Sequence, residues 1–116
     1  MFNFNFTKNK RLTSLNFNSI FKKNNRLNNL YFIILNKKNN IQYSRIGIII
    51  PKKIVRKTYI RNKFKRIIRE YFRLNQYYFF NRDYIIILYN KNILKIDIFY
   101  FKKYLKNIWL NFRKII

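Results

Sequence analysis

The sequence predicts an α+β fold in which helices pack on one face of a small mixed sheet and leave its other face available. Three observations carry that prediction. Apolar runs of strand length recur at 30–35, 45–50 and 84–89; two segments, 57–77 and the stretch after Asp97, place apolar residues at helical spacing instead; and no internal repeat or interdomain linker interrupts the 116 residues. One domain over 1–116 follows, and 49% apolar with 21% aromatic residues is ample for its core.

Along the chain, residues 1–9 read as a flexible polar-aromatic tail. Thr13 or Ser14 offers an N-cap, after which Leu15, Phe17, Ile20 and Phe21 recur near helical spacing up to Lys22, Lys23, Asn24 and Asn25. Residues 30–35 form a β-rich run, 36–42 a polar loop and 45–50 a second strand, so the two strands are expected to pair as an antiparallel hairpin. Gly47 inside the second strand calls for close backbone approach or a kink, and Pro51, lacking a donor, closes it. A long helix over 57–77 leads to a turn at Asn81, Arg82 and Asp83. The strand that follows is almost continuously apolar and therefore central. Asp97 is an N-cap or first-turn acid for a last helix whose stripe is Phe101, Tyr104, Leu105, Ile108, Trp109 and Phe112, with Trp109 in the core.

The long helix is the most informative element. At 100° per residue, Ile60, Phe64, Ile67, Ile68, Tyr71 and Phe72 gather on one arc, while Arg61, Asn62, Lys65, Arg66, Arg69 and Arg73 fill the opposite one. Cations at this spacing repel, and within the helix only Glu70, four after Arg66 and three before Arg73, relieves them. With 27 Lys+Arg against 3 Asp+Glu, the net charge of +24 exceeds what solubility requires and points to a polyanionic partner. The abundance of Asn, Lys, Ile, Tyr and Phe suggests an A+T-rich genome, which would supply Lys by drift. Arg is different: seven of the ten arginines (Arg45, Arg56, Arg61, Arg66, Arg69, Arg73, Arg82) fall between 45 and 82, where bidentate contact to phosphate or base is the physical reason to keep guanidinium.

The same composition excludes other classes. Without cysteine or histidine the chain has no disulfide, no thiolate metal site and no imidazole base. Glu70, Asp83 and Asp97 are its only acidic side chains, and the cations around Glu70 should depress its pKa, so no catalytic residue and no protein-held metal are expected. The apolar runs fall far short of the roughly 20 residues that span a bilayer, and the first residues lack the pattern of a secretory signal. The expected partners are therefore neither membrane nor small molecule, and the expected location is the cytoplasm.

An ordered set of motifs carries a resemblance. Arg45-Ile46-Gly47 leading into Pro51-Lys52-Lys53, then Val55-Arg56-Lys57, then Arg61-Asn62-Lys63-Phe64-Lys65-Arg66-Ile67-Ile68-Arg69-Glu70-Tyr71-Phe72-Arg73, then Asp83-Tyr84 opening an apolar strand, resembles the protein subunit of bacterial ribonuclease P. The spacing between Lys53 and Arg61 looks like the gammaproteobacterial branch, and Arg11-Leu12 with Phe17 and Phe21 matches the family's first helix. The resemblance implies a small α/β sandwich with a left-handed βαβ crossover, against the usual handedness. It also implies a catalytic RNA subunit and precursor tRNA as partners, with hydrolysis done by the RNA and its Mg²⁺. Carried over, Arg61, Asn62, Lys65, Arg66 and Arg69 contact the catalytic RNA with Lys52 and Lys53 nearby, and Arg11, Arg45, Arg56, Lys63 and Arg73 are further RNA-binding residues. Phe17 and Phe21, helped by Tyr31 or Phe32, line a cleft for the 5′ leader, where aromatic faces stack unpaired bases. From spacing alone, Phe17 and Phe21 are also compatible with ordinary core. Two residues depart from the family pattern: Lys63 replaces the third residue of Arg-Asn-Arg and loses the bidentate fork, and Pro51 stands where Ser or Ala is usual, removing a hydroxyl or N–H. The alternative is a ribosomal or other structural RNA-binding protein.

Overall fold

Apolar residues on both sides of one strand decide how the sheet assembles. In the computed structural model, which describes residues 11–112 apart from the side chains of Ser14 and Leu15, β4 (Arg82–Leu88) turns Tyr84, Ile86 and Leu88 to one face and Ile85 and Ile87 to the other. It lies between β2 (Phe32–Lys38), antiparallel to it, and β3 (Arg45–Ile49), parallel to it. With β1 (Asn25–Asn28) on the far edge, the order is β1-β2-β4-β3. The tail expected over residues 1–9 lies outside the described residues.

The hairpin expected between residues 30–35 and 45–50 is not formed. A strand apolar on both faces is most stable with neighbours on both edges, and β4 takes the place between the two. The loop expected at 36–42 is correspondingly shorter, because β2 continues through Asn36, Lys37 and Lys38 opposite Tyr84, Asp83 and Arg82. β1 is a strand that the sequence does not announce. Its residues are polar apart from half-buried Leu27, and its conformation comes from pairing with β2, from Asn25 opposite Asn36 to Asn28 opposite Ile33.

Helices cover both faces, correcting the expectation of one free face. On the first, α2 (Thr58–Asn75) and α3 (Ile98–Trp109) bury Phe64, Ile68, Phe72, Phe101, Leu105 and Trp109 against Phe32, Ile34, Tyr84 and Ile86. Phe64 stacks on Phe101 at 4.7 Å between centroids, and the expected cap forms where Asp97 accepts from the Tyr100 N–H at 3.1 Å. On the second face, α1 (Ser14–Lys22) sets Ile20 and Phe17 over Leu35 and Ile85. Its start is tied by Asn16, whose Oδ1 accepts from the backbone N–H and the hydroxyl of Thr13, both at 2.9 Å. α2 connects β3 to its parallel neighbour β4, so the three elements form a βαβ unit.

Candidate nucleic-acid interface

Two helices and the edge of the sheet converge on one polar-aromatic surface. Just before α1 the chain runs beside β3: Arg11 bridges to Ile46, and the Leu12 N–H donates to the Ile46 carbonyl at 3.1 Å. This brings Phe17 over Gly47, where a side chain would collide with the ring, and the close backbone approach expected at Gly47 is thereby explained. Phe17 stacks on Phe21 at 6.1 Å with 23° between planes, and Phe21 is 48% exposed. Half-buried Ile33, Ile49 and Ile87 lie on the same face and, like Phe17, pack against Ile20, Leu35 and Ile85. The sequence reading missed these three isoleucines, and the period-two alternation around Leu35 and Ile85 is the signal that could have found them.

The cation wall of α2 borders this surface. Arg11, Phe17, Gly47 and Arg69 share a cavity of about 180 Å³, so the first helix and the basic helix meet around one opening. Arg69 has its pKa lowered, first by partial burial and then by the nearby Arg11 charge; no carboxylate lines this cavity. Asn62, Lys63 and Arg66 are exposed along the same helix, and Lys65 is half-buried. Lys52, Lys53 and Arg56 are exposed on the 51–57 loop.

Four expected site residues belong to the protein's own framework instead. Arg61 is only 9% exposed; its Nη1 donates to the carbonyls of Val55 at 2.9 Å and Arg56 at 2.8 Å, and its Nη2 to Thr58 Oγ1 at 3.0 Å. Its guanidinium is spent on holding the loop onto the first turn of α2. Arg45 forms a bidentate pair with Asp83, at 2.8 and 2.6 Å, and this hydrogen bond raises its pKa. Tyr31 and Phe32 pack on the sheet face opposite to α1. Phe32 is 0% exposed with its edge against Phe101 at 5.4 Å, and Tyr31 meets Tyr104 at 5.0 Å, both on the α2 and α3 side. The cause is register: Phe32 pairs with Leu88, and strand alternation then places Ile33 and Leu35 under α1. Arg73 stays at the surface but is tied to Glu70 at 2.5 Å, and that bond holds the Glu70 carboxyl below its usual range, as expected from its neighbours.

The three acidic side chains lie apart, each with a partner. Asp83 holds Arg45 and accepts from Asn39 at 3.0 Å, Glu70 holds Arg73, and Asp97 caps α3. Among the described residues no three of His, Cys, Asp and Glu come together, and no helix is long and apolar enough to cross a membrane.

The sequence and the fold are similar to those of known proteins. The family model described as Ribonuclease P matches residues 6–113. The ribonuclease P protein component of Buchnera aphidicola subsp. Baizongia pistaciae is 37% identical over 94% of this chain and 96% of its own. That of another Buchnera, subsp. Schizaphis graminum, is 35% identical over 92% and 93%. Among solved structures, the RNase P protein of Thermotoga maritima superposes with a TM-score of 0.77 at 33% identity, covering 90% of this chain and 98% of that one. The Staphylococcus aureus RNase P protein gives 0.79 at 27% identity, covering 85% and 91%.

Proposed function

The chain belongs to the ribonuclease P protein family, and from that premise we propose how it serves its RNA partner. The polar wall of α2, with exposed Asn62, Lys63, Arg66 and Arg69 and half-buried Lys65, binds the catalytic RNA subunit, joined by Lys52, Lys53 and Arg56. The surface between α1 and the sheet, with Phe17 and Phe21 above and Ile33, Ile49 and Ile87 beside them, takes the unpaired 5′ leader of precursor tRNA. Arg69 and Arg11 stand where the two surfaces meet and offer guanidinium to a phosphate passing between them. The observation that carries this reading is that junction: a cation-lined cavity in which an aromatic of α1 and an arginine of α2 share one opening, with no carboxylate lining it.

Hydrolysis in the holoenzyme belongs to the RNA, and Mg²⁺ supplies the Lewis acid and the activated water when bound there. This chain's carboxylates do not suit a metal or an acid–base pair, since each already serves a cation or a helix end. Its residues position the substrate and neutralise phosphate charge. Arg61 and Arg45 act one step back: Arg61 fixes the loop that carries Lys52, Lys53 and Arg56, and Arg45 ties β3 to β4.

The test is cleavage of precursor tRNA with protein alone, with catalytic RNA alone and with both, across a Mg²⁺ titration. The protein alone should be inert, and its addition should lower the Mg²⁺ needed by the RNA. Cleavage by RNA-free protein that is abolished by neutralising Glu70, Asp83 or Asp97 without unfolding would overturn the assignment of chemistry to the RNA.

A further inference from the structure

A crevice of about 420 Å³ is walled by the 51–57 loop that follows β3, the first turn of α2 and the 3₁₀ turn Lys91–Lys95 that follows β4. Four cations line it, Lys53, Arg56, Lys57 and Lys91, together with the apolar side chains of Ile60 and Leu94. None of the lining residues is acidic, and all three acidic side chains of the sequence have partners elsewhere. The positive wall therefore lacks a carboxylate of its own, and an anion from outside relieves its self-repulsion.

The wall is also held in place before any ligand arrives. The Pro51 carbonyl accepts from the Ile54 and Val55 N–H groups, both at 3.0 Å, and Val55 is buried. Arg61 clamps the next two carbonyls from inside, so Lys53 and Arg56 project from a fixed loop. Beside the rim, Tyr59 is 67% exposed with the Lys57 ammonium 5.9 Å from its ring centroid, and Leu94 is 48% exposed. An apolar floor, a cationic rim and an exposed aromatic match one ligand chemistry: a base that has left its stack, with the phosphates on either side of it.

We propose that this crevice, which shares Lys53 and Arg56 with the face offered to the catalytic RNA, is a second RNA site, distinct from the surface beneath α1, which takes an unpaired nucleotide of single-stranded RNA. Its base rests on Ile60 and Leu94, and its phosphates on Lys53, Arg56, Lys57 and Lys91. Lys91 and Leu94 come from a turn outside the family motifs in the sequence, so they test the crevice without touching the α2 wall. The proposal rests on the reading of the chain as an RNA-binding subunit.

The probe is a fluorescent hexauridylate carrying one 4-thiouridine, titrated against the full chain. Crosslinks should map to 53–60 or 91–95. Lys91→Ala should weaken binding about fivefold, as for one exposed phosphate contact, and lower the slope of log K against log salt by about 0.7. Leu94→Ser should weaken binding while leaving the slope unchanged, because it removes base contact and no charge. Lys103→Ala, an equal charge loss on exposed α3, should change neither. If Lys91→Ala and Leu94→Ser both match Lys103→Ala and crosslinks avoid 53–60 and 91–95, the crevice is not an RNA site. Phe17→Ala on precursors with and without a leader is a separate readout: unchanged leader discrimination there, with hexauridylate binding still weakened in Lys91→Ala, would reject the cleft reading and leave the crevice standing.

Discussion

Phe17 and Gly47 are in contact because Gly47 has no side chain: a Cβ there would stand 2.5 Å from Cε1 of the ring. Gly47→Ala must therefore displace Phe17 or shift α1. We expect it to cost about 1–3 kcal/mol of stability, as overpacking does, and to weaken binding of precursor tRNA more than of mature tRNA. Urea unfolding and paired binding titrations measure the two effects.

Phe17→Ala separates substrate contact from core packing. If Phe17 stacks on a leader base, the loss is about 1–3 kcal/mol on precursor tRNA alone, with affinity for the catalytic RNA unchanged. Equal losses on precursor and mature tRNA that track a fall in melting temperature would make Phe17 purely structural.

Two arginines on the same helix should behave oppositely. Arg61→Ala leaves the carbonyls of Val55 and Arg56 without their donor and should destabilise the free protein by about 2–4 kcal/mol. Arg66→Ala, at an exposed position, should leave the unfolding midpoint in place while weakening catalytic-RNA binding and flattening its salt slope by about one. Calorimetry of the free variants beside salt-dependent titrations tests the pair.

The two ion pairs differ in burial and so in weight. Asp83 is 9% exposed at its side chain and bonds both Arg45 and Asn39, whereas Glu70 is 54% exposed. Asp83→Asn should cost about 2–3 kcal/mol, and Glu70→Gln at most about 0.5 kcal/mol after solvent screening. Because the Arg73 hydrogen bond lowers the Glu70 pKa, its small contribution exists above the unfolded carboxylate range and is lost as pH falls through the folded value. Denaturant titrations at neutral and acid pH compare them.

Tyr84 gives an alkaline signature. Burial raises its pKa, and its hydroxyl donates to the Phe80 carbonyl at 2.6 Å. Above the unfolded tyrosine value of about 10 the unfolded chain loses this proton and the native state keeps it, so stability falls with rising pH by up to about 1.4 kcal/mol per unit. Tyr84→Phe should flatten that fall. An identical slope in both proteins would show that the hydroxyl ionises freely in the native state.

The periodicity of α2 told much of this in advance, because a helix reports its two faces through spacing alone. Phe64, Ile68 and Phe72 are buried where the arc placed them, and Arg66 and Arg69 are exposed. Asp97 as a cap and Trp109 as core were legible for the same local reason. Arg61 was not, since the helical arc says which way a side chain leaves the axis and nothing about a loop folding back over the first turn. Strand β1 was not legible either, because Asn25, Arg26 and Asn28 acquire strand conformation only from β2.

By itself the sequence determined what is written in composition and period: a folded α+β domain, a helix with one apolar and one cationic wall, and a +24 charge matched to a polyanion. The tertiary structure decided what depends on partners distant in the chain. It placed β4 between β2 and β3, set the phase that turned Phe32 into the core and Ile33 toward α1, and brought Arg11 to the cavity of Arg69. Pairing and register are settled by the neighbours that bury the most surface, and a one-residue change of phase exchanges core for cleft along a whole strand.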